Sequence, residues 1–254
     1  MIGNKPSPYK AFYTPPALQA GMVDRISSGS QVLDSLLAGG LEKDCITTIY
    51  GPAGAGKTTM CIMAAIQTAK EGKKVVYLDT EGGFSIERFR QLSSDDTNIL
   101  NNMIFLRPAT FPEQSDAFTK LRDLAKAPVG LIIIDTIAFL YRLELGASED
   151  VTNTNRELGR QIALLTEITR KKDIPVLITN QGYSFFDERD KTHMVCGDVM
   201  RYGSKAIIEL QIAPDRKRRM VLKKHRSIPE LTEVVFEIKN FGFVEVKDKK
   251  FKLF

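Results

Sequence analysis

The sequence predicts an α/β fold in which helices flank a mostly parallel central sheet, with an antiparallel extension at the C-terminal end. Three observations predict it. Four short apolar runs, "CITTIY", "KVVYLD", "VGLIIID" and "IPVLITN", are nearly continuous, as strands covered on both faces must be. Helical stretches such as 60–70 and 152–171 lie between them, and that alternation builds βα units around a parallel sheet. From Lys205 onward the texture becomes strand after strand, "AIIELQIA", "RRMVLKKHR", "TEVVFEIKN" and "GFVEVK", with short turns such as 240–242.

Taken in chain order, residues 1–24 are rich in Pro, Gly and small polar residues and read as an arm or tail; residues 25–254 read as one core domain. Residues 31–37 form a short amphipathic helix stopped by Gly39 and Gly40. The strand "CITTIY" runs into "GPAGAGKTT", which fits G-x-x-x-x-G-K-[ST] at every fixed position and opens the next helix. Residues Gly51, Pro52, Ala53, Gly54, Ala55 and Gly56 would curl so that backbone N–H groups face a phosphate, with the helix N-terminus adding favourable potential. Lys57 would reach the β and γ oxygens of ATP. The Thr58 hydroxyl would bind Mg²⁺, with Thr59 beside it in the nucleotide site.

Three further strand ends carry polar groups toward the same place. "LIIIDT" ends on Asp135, a carboxylate for the Mg²⁺ shell. "VVYLDTEGGF" offers Glu81 as a general base that orients a water. Asp79 is the alternative, though its place within the strand favours a structural hydrogen bond. "VLITNQ" ends on Gln181, an amide able to sense a γ-phosphate and pass its presence to the polar segment that follows.

Bulk properties agree with a soluble, intracellular reading. The chain has 254 residues, 43% hydrophobic, with a net charge of +5. No run approaches the roughly 20 apolar residues needed to span a bilayer, and the N-terminus lacks an apolar signal core. The cysteines Cys45, Cys61 and Cys196 have neither zinc nor disulfide spacing, so a reducing cytoplasm is expected. His193 and His225 have no ligand partners at suitable spacing and read as loop or surface residues.

The segments "ISSGSQVLDSLLAGGLEKDCITTIYGPAGAGKTT", "YLDTEGGFSIERF", "LIIIDTIAFLYRLE" and "ITNQ" together resemble the RecA-like recombinases, in particular their archaeal RadA branch. The resemblance runs from about Arg25 to the C-terminus. Too few residues precede Arg25 for that branch's N-terminal helical domain, so the chain is similar to the core-only RadB family. The resemblance implies a RecA-like P-loop NTPase core that binds ATP and Mg²⁺, hydrolyses weakly, binds DNA and assists a RadA-type recombinase. By position, Lys57, Glu81 and Gln181 would be catalytic and Thr58 and Asp135 would serve the metal. Arg88 in "SIERF" would pack on adenine.

DNA, single-stranded by preference, is expected at three places: Arg142 and its neighbours after the Mg²⁺ strand; Arg189 and Lys191 among the aromatics after Gln181; and the cluster Arg216, Lys217, Arg218 and Arg219. Lys223 and Lys224 are also candidates to serve a neighbouring subunit's ATP site. The segment after Gln181 departs from the recombinase pattern by carrying four acids. Phe12-Tyr-Thr-Pro15 has Pro where the family's Phe-x-x-Ala tether has Ala, so a homo-oligomer is an open expectation. A KaiC-like signalling ATPase or autokinase is the alternative, because it shares the GxxxLDxLLxGG segment and the phosphate loop.

Overall fold

The computed structural model describes residues 24–94, 96–126, 128–147, 150–183 and 192–246. The sequence-predicted arm up to residue 23 lies outside them. In chain order the elements are β1 (Arg25–Ile26), α1 (Gln31–Leu36), β2 (Leu41–Glu42), β3 (Ile46–Gly51), α2 (Lys57–Lys70), β4 (Lys74–Asp79), α3 (Ile86–Ser93), a 3₁₀ turn (Thr97–Asn102), β5 (Met103–Leu106) and α4 (Phe111–Leu124). Then follow β6 (Val129–Asp135), α5 (Phe139–Ala147), α6 (Val151–Lys172), β7 (Val176–Tyr183), β8 (His193–Met194), α7 (Gly197–Gly203), β9 (Ala206–Ile212), β10 (Arg218–Lys224), β11 (Glu233–Lys239) and β12 (Gly242–Glu245).

The main sheet has the order β12-β11-β10-β9-β3-β7-β6-β4-β5, with β8 paired to β7 outside that path. From β9 to β5 every neighbouring pair is parallel; β10, β11 and β12 add on antiparallel. The continuous apolar runs have a direct cause. Val75, Tyr77, Leu131, Ile133 and Leu177 enter one core with α1 and α2. Their alternates Val76, Leu78, Ile132, Ile134, Val176 and Ile178 enter a second core with α4, α5 and α6. Each such side chain removed from water contributes about 1.5–3 kcal/mol, so the strands are held from both faces.

Helix boundaries follow the capping residues. Ser30, Ser85, Thr110 and Asp150 each accept a backbone N–H at the starts of α1, α3, α4 and α6. Two boundaries differ from the sequence reading. Helix α2 starts at Lys57, which puts Lys57, Thr58 and Thr59 in its first turn. Strand β7 runs on to Tyr183, because Gly182 and Tyr183 pair with Met194 and His193, so Gln181 lies inside the strand.

His225 lies in the loop after β10, as expected, but its side chain is turned inward and only 1% exposed. Nδ1 accepts the backbone N–H groups of Ser227 (3.1 Å) and Ile228 (3.2 Å), so the ring is neutral with its proton on Nε2. Beside it, the buried Glu42 carboxylate takes Arg25 at 2.9 Å and Arg226 at 2.7 Å, and Arg226 also forks onto Asp44. Burial lowers the His225 pKa below its ordinary 6.5. Glu42 opposes that shift, and Arg25 and Arg226 reinforce it. The folded state therefore binds the proton less readily than the unfolded chain. Stability is complete above about pH 6.5 and declines as the pH falls below it. The urea midpoint should drop between pH 7.5 and 5.5, and His225→Gln should reduce that drop; an equal drop in the variant would refute the assignment.

Candidate nucleotide and nucleic-acid site

Four adjacent strands, β4, β6, β7 and β3, end in one crevice, the place where open α/β sheets take ligands. Parallel register aligns their polar ends: Asp79 lies opposite Asp135, and Gln181 opposite Gly51. The phosphate loop starts at Gly51, where an added Cβ would lie 2.4 Å from the Leu210 carbonyl oxygen of β9. It ends at Gly56, whose φ of +105° disfavours any side chain and where an added Cβ would lie 2.9 Å from Ile238 Cδ1. Helix α2, 14 residues long, then begins with no side-chain cap and no acid in its first turn. An uncapped helix N-terminus behind a glycine loop fits a phosphate group. Lys57 Nζ donates to the Gly51 and Pro52 carbonyls at 2.9 and 2.8 Å, so it lies over its own loop. Burial lowers the Lys57 pKa, while the Glu81 and Asp135 carboxylates oppose that shift.

Asp135 is buried behind Thr58. Its Oδ1 accepts from Thr179 Oγ1 at 2.5 Å and its Oδ2 from Tyr77 OH at 2.9 Å, and the nearby Thr58 hydroxyl favours its charged form. Burial raises its pKa and these hydrogen bonds oppose that. A hydroxyl backed by a carboxylate is an oxygen donor set that fits Mg²⁺. Asp79 accepts from the backbone N–H groups of Gly83 (3.0 Å) and Phe84 (3.3 Å), which fixes the turn that presents Glu81. Thr80 rivets that turn to the next strand, donating to the Thr136 carbonyl at 2.7 Å.

Glu81 Oε1 accepts from Gln181 Nε2 at 2.7 Å and from Thr136 Oγ1 at 3.0 Å. Glu81 Oε2 has no hydrogen-bond partner among the described residues. Gln181 Oε1 in turn accepts from Arg142 Nη1 at 2.7 Å. Glu81, Gln181 and Arg142 therefore form one chain of contacts, although the sequence reading placed Arg142 with DNA.

The other expected residues are distributed as follows. Arg88 donates to Lys239 O (2.9 Å) and Asn240 O (3.1 Å), binding α3 to the β11–β12 turn. Arg218 Nε reaches the Gly54 carbonyl of the phosphate loop at 3.2 Å. Arg219 lies 3.8 Å from Glu233, and Arg216 is exposed in the turn before β10. Lys217 precedes Arg218 in that turn. The expected cationic cluster is thus split, with Arg218 held against the phosphate loop. Lys223 pairs with Glu209 (3.3 Å) and Lys224 with the Ser204 carbonyl (2.9 Å), beside a cleft of about 910 Å³ that also holds Tyr183 and Tyr202. Arg189 and Lys191 lie outside the described residues.

Sequence reasoning missed Tyr77, Thr136, Thr179 and the Arg142 contact. Strand parity was the available signal: Tyr77 and Asp79 share one face of β4, and Thr179 and Gln181 share one face of β7.

The Rad51 family model matches residues 20–246. The DNA repair and recombination protein RadB of Methanococcus maripaludis (strain C7) is 43% identical over 222 residues, spanning 87% of this chain and all of the relative. RadB of Methanoculleus marisnigri is 42% identical over 223 residues, spanning 86% of this chain and 97% of its own length. A solved structure of the RadB recombinase superposes with a TM-score of 0.74 at 34% identity, covering 89% of this chain and 100% of that one.

Proposed function

The chain belongs to the Rad51 family, and from that premise we propose that it binds ATP with Mg²⁺, hydrolyses it slowly and binds DNA in support of homologous recombination and repair. One observation carries this reading: the ends of β3, β4, β6 and β7 bring the phosphate loop, Glu81, Asp135 and Gln181 together at an uncapped helix N-terminus. The family match and the RadB relatives favour it over the KaiC-like alternative.

The proposed roles follow from chemistry. Residues 51–59 cradle the phosphates and Lys57 neutralises them. Thr58, backed by Asp135, holds Mg²⁺, which when bound would offset negative charge on the phosphate oxygens. Glu81 Oε2, the carboxylate oxygen without a partner among the described residues, takes the proton of an attacking water. Gln181 senses the γ-phosphate. Arg88 offers a guanidinium face to the base, since its edges are occupied by the two carbonyls. Arg142, Arg189, Lys191 and Arg216–Arg219 form the proposed DNA contacts, with Arg218 shared with the phosphate loop.

In the cell the proposal places the protein in the cytoplasm beside a RadA-type recombinase, with residues 1–24 as a docking arm and self-association as a further route. Among the described residues no helix is long and apolar enough to cross a membrane.

The test is binding of labelled single-stranded DNA with and without ATP–Mg²⁺ at two salt concentrations. Affinity should fall with salt, with a log–log slope of about −0.7 for each phosphate neutralised, and should respond to nucleotide. No binding at low salt in either state would overturn the DNA reading.

A further inference from the structure

Arg142 is exposed on α5, and its guanidinium has one hydrogen-bond acceptor among the described residues, the Gln181 side-chain oxygen at 2.7 Å. The same amide gives its Nε2–H to Glu81 at 2.7 Å. A guanidinium only donates and a carboxylate only accepts, so the amide satisfies both in a single orientation. Cation, amide dipole and anion therefore stand in line, and displacing the amide breaks both contacts at once. Gln181 is also paired in register with Gly51, the first residue of the phosphate loop.

We propose that Arg142 is a positioning residue shared between two ligands: without nucleotide it is held by Gln181, and with ATP it is released to a nucleic-acid phosphate. This rests on the ATP- and DNA-binding reading above. A γ-phosphate over the loop is an acceptor of higher charge than Glu81, and it competes for the Gln181 Nε2–H. When the amide turns to it, Oε1 leaves the guanidinium. An exposed guanidinium without its acceptor pairs best with another planar or tetrahedral oxyanion, for which its donor fork is shaped. The exchange runs both ways, so DNA that takes Arg142 also loosens Gln181 from Glu81.

The experiment is a fluorescence-anisotropy salt series on a labelled oligothymidylate, with and without the ATP analogue AMP-PNP and Mg²⁺. The proteins are the parent, Arg142→Ala, Arg142→Lys and Gln181→Ala. In the parent the analogue should steepen the log–log slope by about 0.7, the increment for one added phosphate on a single strand. Arg142→Ala should lose that increment, and Arg142→Lys, which keeps a cation, should restore it. In Gln181→Ala the steeper slope should be present with and without the analogue. A merely structural role for Arg142 would change affinity at all salts and leave the nucleotide-dependent increment in place. If the parent binds both ligands and the increment is absent, or persists in Arg142→Ala, the inference is overturned alone. If the parent binds neither ligand, the functional reading fails and this falls with it.

Discussion

Glu81→Gln is expected to keep ATP bound and to slow phosphate release about 10²- to 10⁴-fold, the range a positioned general base contributes. The substitution preserves shape. Gln can still meet Thr136 and Gln181 through one end of its amide, and the phosphate loop is untouched. What disappears is the basic oxygen Oε2, which has no partner among the described residues, Gln181 and Thr136 both bonding to Oε1. Single-turnover phosphate release measures the rate, and calorimetric titration measures binding. Release at the parent rate with intact binding would remove Glu81 from the chemistry.

Lys57→Ala should act on the other quantity. The ammonium lies over the loop, held by the Gly51 and Pro52 carbonyls, and the charges of Glu81 and Asp135 favour its protonated form against the effect of burial. Each charge-assisted bond it makes to a phosphate is worth about 1.5–3 kcal/mol, so losing one weakens ATP roughly 10- to 150-fold. Two carbonyls also lose their donor, which loosens the empty loop and adds to the effect. An unchanged ATP affinity by calorimetry would sink the phosphate-loop assignment. Together the two variants separate binding from turnover: one residue changes the affinity, the other the rate.

The fold was legible wherever burial repeats along the chain. β4 and β6 match their apolar runs residue for residue, since side chains on both faces of a central strand meet a hydrophobic core. The antiparallel extension was legible from its turns. The short edge strand β5 and helix α4 went unread, because four residues of strand and a helix of mixed polarity give weak periodic signals. The site was legible where a motif is contiguous, as in 51–58, or where a polar residue ends an apolar run, as at Asp135 and Gln181. Contacts between remote segments were not. Arg142 and Gln181 are 39 residues apart, and only the packing of α5 beside the end of β7 brings them together. A run of cations such as 216–219 reads as one patch in sequence, yet strand geometry and a turn send its members to different partners.

Arg218 reaches the Gly54 carbonyl across 164 residues of chain, and Ile238 and Phe243 close on Gly56 from still further along. The lining of the phosphate loop is therefore completed only after the ribosome has made β10, β11 and β12, long after the loop itself. A nascent chain halted before β10 would expose a phosphate loop with its lining absent. ATP affinity should then rise once the closing hairpins have left the exit tunnel, and nucleotide retention becomes a reporter of their docking.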